Sequence, residues 1–331
     1  FALILAGGTA PAQSYTVLSP DKALRVTVSV GEAITWTAEY RDTPVLSDVQ
    51  IGLALQEESG TRMLGESPEV INDLRESVRE VIEPVVPNKT SRIADHYNEL
   101  ILEFAGDYSV QFRAYDDGVT YRFVTGMDGE ITIDREILLL PFGDGNTVWF
   151  PEEESLISHY EQNYRVTDVS EITTEQFSAL PVFLRSPDSI SILCTEADLY
   201  DYPGMFLSGA ENGLKAIFPK VVLETQPAEA SPDRNEIITR KAAYIARTTG
   251  RRTFPWRAFI IADRAGAVVE SNLVYQLSRP LQLEETDWIR PGKVAWDWWN
   301  ARNIYGVEFE SGINTETYKY YIDFASELGV E

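Results

Sequence analysis

Short runs in which apolar and polar residues alternate dominate the chain from about Tyr15 to Ala262. Val110, Phe112 and Ala114 alternate with Gln111 and Arg113, and Val119, Tyr121 and Phe123 alternate with Thr120 and Arg122. A period of two puts one set of side chains on a buried sheet face and the other on the opposite face. Asp116-Asp117-Gly118 stands between the two runs. Asp and Gly tolerate the positive φ of a tight turn, so the stretch predicts a β-hairpin. Asp128-Gly129 and Asp144-Gly145 punctuate the following runs in the same way. Strand-and-turn units of roughly 8–12 residues predict a large antiparallel sandwich. Two stretches read as helical instead, 68–81 and 263–277.

At Pro291 the pattern changes. Lys293-Val294-Ala295-Trp296-Asp297-Trp298-Trp299 reads as a compact apolar strand, and Gly306 and Gly312 mark a loop from about 300 to 313. Asn314 is a good N-cap and Glu316 falls in the first helical turn, where the helix dipole favours a carboxylate. Tyr318, Tyr321, Ile322, Ala325 and Leu328 then lie on one helical face, and Gly329 is placed as C′. One strand-loop-helix unit cannot bury itself, because parallel strands need neighbours and covering helices. The stretch from Pro291 to Glu331 is far shorter than the ~250 residues of a (β/α)8 barrel. The expectation is therefore a chain that stops inside its second domain, with its long strand-to-helix loop on the face where barrel active sites lie.

Composition narrows the function classes. Lys+Arg 28 against Asp+Glu 52 gives a net charge of −24, which repels phosphate backbones and makes nucleic acid a poor partner. A single cysteine, Cys194, excludes an internal disulfide framework and a Cys-based zinc site. With only 2 histidines, metal chemistry would use carboxylate oxygens and favour hard cations such as calcium. Residues 1–12, FALILAGGTAPA, read as the tail of a secretory signal peptide with Ala-x-Ala cleavage after Ala12. No stretch approaches the ~20 apolar residues of a membrane span. An exported product in a bacterial periplasm is expected.

The densest candidate chemistry is Trp296-Asp297-Trp298-Trp299-Asn300. Indole faces stack on the C–H face of a sugar ring, while Asp and Asn bond its hydroxyls; filling of a barrel core is the competing reading. Strand alternation would put Trp296, Trp298 and Asn300 on one face, with Asp297 and Trp299 on the other. The segment from Cys194 to Met205 carries Glu196, Asp198 and Asp201 at a strand end, where a carboxylate can reach a neighbouring domain or a calcium ion. Glu152-Glu153-Glu154 reads as a solvated turn, and His96 and His159 as structural histidines. Arg247, Arg251, Arg252 and Arg257 read as a salt-bridged face. The chain contains no GxGxxG, P-loop, GxSxG or HExxH.

Six stretches together resemble glycoside hydrolase family 97, exported bacterial α-glycosidases: FRAYDDGVTYRF (112–123), WFPEEESLISHYE (149–161), TEADLYDYPGMFL (195–207), PWRAFIIAD (255–263), PGKVAWDWWN (291–300) and GINTETYKYYIDFASELGVE (312–331). The resemblance implies an N-terminal β-super-sandwich, here 13–285, followed by the first strand and helix of a (β/α)8 catalytic barrel at 286–331. It implies an exo-acting hydrolase of α-linked oligosaccharides. VAWDWWN and NTETYKYYIDFA look more like the retaining, α-galactosidase branch; an inverting α-glucosidase is the alternative within the family. A non-catalytic exported glycan-binding sandwich is the alternative outside it. The family's catalytic carboxylates sit on later barrel strands, so none is expected among these residues and the piece alone is expected to be inactive. By resemblance, Glu196 is the glutamate that the N-terminal domain gives to the family's calcium, and Asp297, Trp298 and Asn300 are candidate substrate contacts.

Overall fold

The computed structural model describes residues 12–330 except 87, 231–234 and 300. The signal-peptide reading thus falls almost wholly outside the described residues, as does Asn300. The chain divides into two compact units. The first comprises residues up to Ile82 together with Ile93–Arg279, and the second Glu83–Arg92 together with the residues from Pro280 onward.

The first unit is built almost entirely of strands. In chain order they are β1 (Gln13–Leu18), β2 (Leu24–Val30), β3 (Ile34–Tyr40), β4 (Thr43–Glu57), β5 (Gly60–Leu64), β6 (Val70–Ile82), β7 (Ile93–Phe104), β8 (Tyr108–Tyr115), β9 (Gly118–Pro141) and β10 (Thr147–Phe150). They continue as β11 (Arg165–Asp168), β12 (Phe177–Ser178), β13 (Val182–Arg185), β14 (Ser191–Ala197), β15 (Phe206–Ala210), β16 (Gly213–Ile217), β17 (Val222–Pro227), β18 (Glu236–Lys241), β19 (Ala246–Thr253) and β20 (Trp256–Ala262). Two short helices follow, α1 (Ala265–Glu270) and α2 (Leu273–Leu277), where one helical stretch was expected.

All the named strand pairings are antiparallel, and β9 organises them. Its first half pairs with β8 and β20, continuing the layer β6–β7–β8–β9–β20–β14–β13–β10–β11. Its second half pairs with β4 and β16 in the layer β1–β2–β3–β4–β9–β16–β15–β12. Strand β19 pairs across the join, with a register shift between Thr249 and Arg251 opposite the stretch from Gly126 to Glu130. Asp128-Gly129 therefore does not end a strand. It lies in a bulged stretch where one long strand passes from the first layer to the second, and Gly129 takes φ 73° there. The sandwich expectation stands, and the turn expected at this dipeptide is corrected.

Alternation works as the pattern requires. In β2 and β3 every second residue is buried. Between the layers Trp36 of β3 meets Phe259 of β20 at 5.3 Å, Phe112 of β8 at 6.3 Å and Tyr121 of β9 at 6.1 Å. A second, outer apolar layer forms where Leu273 and Leu277 of α2 cover Trp256, Ala258 and Ile260 of β20.

One helical expectation fails here. Residues 68–81 hold most of β6, in register with β7 from Val70↔Phe104 to Ile82↔Ile93. Apolar spacing in VINDLRESVREVI is helix-like, but the ladder to β7 satisfies the backbone and decides the conformation.

In the second unit, α3 (Thr315–Leu328) forms as expected. The Asn314 side chain accepts from the Thr317 backbone N–H at 2.9 Å, and Gly329 closes the helix with φ 62°. Lys293–Trp299, expected to be a strand, is irregular and ends in a turn. No described segment pairs with it, and a strand exists only as part of a ladder.

Candidate functional site

Glu196 lies one residue before the end of β14, directly opposite Arg257 of β20, which in turn lies opposite Tyr121 of β9. Residues opposite one another share a face of the sheet. This row faces the interior, since Cys194, Tyr121 and Phe259 are all buried in the core between the layers. The Arg257 side chain is 1% exposed, so its charge requires partners.

The partners come from both layers. Glu136, on the second half of β9, accepts from Arg257 Nε and Nη2, both at 2.7 Å. This is the bidentate fork in which guanidinium and carboxylate match best. The remaining Nη1 donates to Glu196 Oε2 at 2.5 Å. Burial works against the guanidinium charge, yet Glu136 and Glu196 outweigh it and hold the Arg257 pKa above its ordinary value. Two carboxylates thus share one cation, leaving the cluster with one excess negative charge. Burial pushes the Glu196 carboxyl up, against the pull of Arg257 and of the Met205 backbone N–H.

The loop after β14 is held from three sides. Asp198, with its side chain 3% exposed, accepts from the Arg279 backbone N–H at 3.1 Å and from Nε at 2.9 Å and Nη2 at 3.1 Å. Arg279 lies 3.8 Å from the centroid of the Tyr200 ring. Arg252 donates to the carbonyls of Tyr200 and Asp201 at 2.9 and 3.1 Å. The chain then returns so that the Met205 N–H donates to Glu196 Oε1 at 3.1 Å. The three acids of this segment therefore have distinct partners: Arg257 for Glu196, Arg279 for Asp198, and Thr248, at 3.0 Å, for Asp201.

Three buried charged residues of the interior differ from what the sequence suggests. Nothing in the sequence distinguishes Glu136 from the chain's other acids. Arg257 was grouped with Arg247 and Arg251, which form exposed ion pairs, whereas Arg257 is buried. Glu153, expected in a solvated turn, is 5% exposed, and its Oε1 has no hydrogen-bond partner among the described residues. Burial, then Glu196, then Glu153 push up the pKa of the Tyr160 hydroxyl, so both carboxylates act on one hydroxyl. The run Pro151-Glu152-Glu153-Glu154 gives no indication of which acid turns inward.

The site suits a hard cation in part. Its donors are carboxylate oxygens and it carries excess negative charge. Among the described residues no three His, Cys, Asp or Glu side chains converge in a metal-binding group.

The other expected site residues belong to the second unit. Trp296 and Trp298 stack at 5.4 Å with their planes 9° apart, and Trp299 lies 5.8 Å from Trp296. Turn geometry thus gathers three indoles that strand alternation would have separated. Asp297 Oδ2 pairs with Arg302 Nε at 3.4 Å. Trp298 is 60% exposed and Trp299 80%.

The family description "Glycosyl-hydrolase 97 N-terminal" matches residues 17–280, and the chain belongs to glycoside hydrolase family 97. It is similar to a retaining alpha-galactosidase of Bacteroides thetaiotaomicron, 32% identical over 334 residues, covering 96% of this chain and 49% of that protein. Among solved structures, a family 97 enzyme of Pseudoalteromonas sp. strain K8 in complex with acarbose aligns with TM-score 0.79 at 22% identity, over 96% of this chain and 46% of that one. A beta-arabinopyranosidase aligns with TM-score 0.76 at 21% identity, over 96% and 50%. The chain spans about half the length of these relatives. Among the described residues, no helix is long and apolar enough to cross a membrane.

Proposed function

We propose that this chain is the N-terminal part of an exported, periplasmic, retaining exo-α-galactosidase, with Glu196 as a calcium ligand and Asp297, Trp298 and Asn300 as contacts to an α-linked oligosaccharide. The observation that carries the reading is the 32% identity to a retaining alpha-galactosidase across 96% of the chain. Its chemistry is that of a carboxylate pair ~5–5.5 Å apart, one acting as nucleophile and the other as acid/base, against ~6.5–9.5 Å for inversion through an intervening water. An exposed indole such as that of Trp298 suits the C–H face of a sugar, and a carboxylate suits its hydroxyls. A buried acceptor placed for the axial C4 hydroxyl of galactose is left unpaired by glucose, and such sites discriminate by up to ~10⁴–10⁵.

Proton NMR of the first-formed product of the full-length enzyme decides the stereochemistry. Release of the α-sugar before mutarotation is expected, with α-galactosides preferred over α-glucosides. Release of the β-sugar, or preference for α-glucosides, would point to an inverting α-glucosidase instead.

At Glu196 a bound calcium ion would supply a divalent charge that offsets the cluster's excess negative charge. The chain's own part is to hold Glu196 through Arg257 and the Met205 N–H. Calcium should raise the melting temperature of the full-length protein, since a ligand of the native state stabilises it by mass action. Glu196→Gln should remove most of that rise; an undiminished rise in the variant would refute the assignment.

A further inference from the structure

Arg257 lies 2.5 Å from Glu196 Oε2, a poor neighbour for a carboxylate meant to bind a cation. Left as a pair, the two would be neutral, and the guanidinium would repel a divalent ion at the same carboxylate. Glu136 changes this. It comes from the second half of β9 and takes Nε and Nη2 of Arg257 in a fork with its side chain 3% exposed. The Tyr121 and Tyr202 hydroxyls beside this cluster stay neutral and add no charge, because burial first and Glu136 second hold both well above the ordinary phenol range. Among the described residues, Glu196 Oε1 accepts from the Met205 N–H alone, at 3.1 Å, and so keeps lone-pair capacity for another partner.

We propose that Glu136 is a charge-balancing and positioning residue for Glu196: it neutralises Arg257 from behind, so that Glu196 presents a net negative, fixed carboxylate to a divalent cation that Glu136 itself never touches. Arg257 is then the rigid arm that sets the orientation of Glu196, and the Glu136 fork is what holds that arm. This rests on the reading of Glu196 as a calcium ligand and adds a residue from the opposite layer that sets the site's affinity.

The test is calorimetric titration of Ca²⁺ into the full-length protein stripped with EDTA, for wild type, Glu196→Gln, Glu136→Gln and Glu136→Asp. Glu136→Gln keeps the shape and removes one charge. It should weaken calcium binding by roughly tenfold or more, as expected for a unit charge acting through an effective dielectric of ~20. Glu136→Asp keeps the charge and should restore binding to within a few-fold of wild type. A merely structural role for Glu136 would instead lower the melting temperature in EDTA and leave the affinity of the folded fraction unchanged. If Glu136→Gln does not fold, Arg257→Lys serves in its place. Lysine keeps the charge but cannot fork to one carboxylate while reaching the other, so it too should weaken binding; unchanged affinity would overturn the proposal. If Glu196→Gln loses calcium while Glu136→Gln binds like wild type, the inference fails and the Glu196 assignment stands. If the wild type takes up no calcium, both fail together.

Discussion

Gly118 shows how a correct expectation can rest on the wrong physical reason. The hairpin is there, with Tyr115 paired to Gly118, so the turn residues are Asp116 and Asp117. Gly118 is the first residue of β9, and it is not among the residues with positive φ. Its missing side chain serves packing instead, since a Cβ there would lie 2.7 Å from Leu273 Cδ2 and 2.8 Å from the Phe259 carbonyl oxygen. Leu273 can turn aside but the carbonyl belongs to the neighbouring strand, so Gly118→Ala should destabilise the fold by about 1–3 kcal/mol through overpacking. Urea denaturation should show a lower midpoint with an unchanged slope; a midpoint equal to wild type would show that β20 yields freely. The same limit hid the charge cluster. Glu136, Arg257 and Glu196 are 121 and 61 residues apart along the chain, and nothing local in the sequence marks residues that meet only through sheet pairing. Glu196 is singled out only by the resemblance of its segment, and nothing in the sequence singles out Glu136.

Elements were legible where one physical cause dominates. The alternating runs around β8 and β9 each bury one face, so their pattern and their structure agree. α3 carries both its stop signals and a cap, and forms where they place it. Asn314→Ala should lower the stability of this helix by about 1 kcal/mol, and Asn314→Gly by only a few tenths, because the cap oxygen satisfies an N–H that otherwise has no intrahelical partner. Ellipticity at 222 nm of peptides spanning 310–330 would read the ranking; equal helicity in all three would show that the cap contributes nothing. β6 was misread for the converse reason. Its residues are exposed along most of their length, so neither face imposes a period of two, and ladder formation with β7 leaves no hydrophobic signature. The stretch 293–299 shows the dependence from the other side: a strongly apolar segment without a pairing neighbour does not become a strand.

For the molecule as a whole, the balance of carboxylates sets the response to acid. Burial raises the pKa of Asp95, of Asp116 and of Glu196, in each case as the largest cause. Among the described carboxyls, only Asp168 is lowered, through hydrogen bonds from the Ser170 side chain and backbone. A raised carboxyl pKa means that the native state binds its proton more readily than the unfolded chain, whose carboxyls titrate near ~4. Each such group opposes folding when ionised, and that opposition is relieved as pH falls through its raised native value. Asp168 works the other way, since its stabilisation is present above ~4 and is lost only as pH falls through its depressed value. The net charge of −24 adds self-repulsion that also eases on acidification. All three contributions above pH ~4 therefore share one sign, or in the case of Asp168 are constant. The urea midpoint, measured in EDTA to keep calcium linkage out, should be at least as high at pH 5 as at pH 8 and should fall only below about pH 4. A midpoint that declines steadily from pH 8 to pH 5 would mean that paired carboxylates, rather than buried ones, govern the stability of this sandwich.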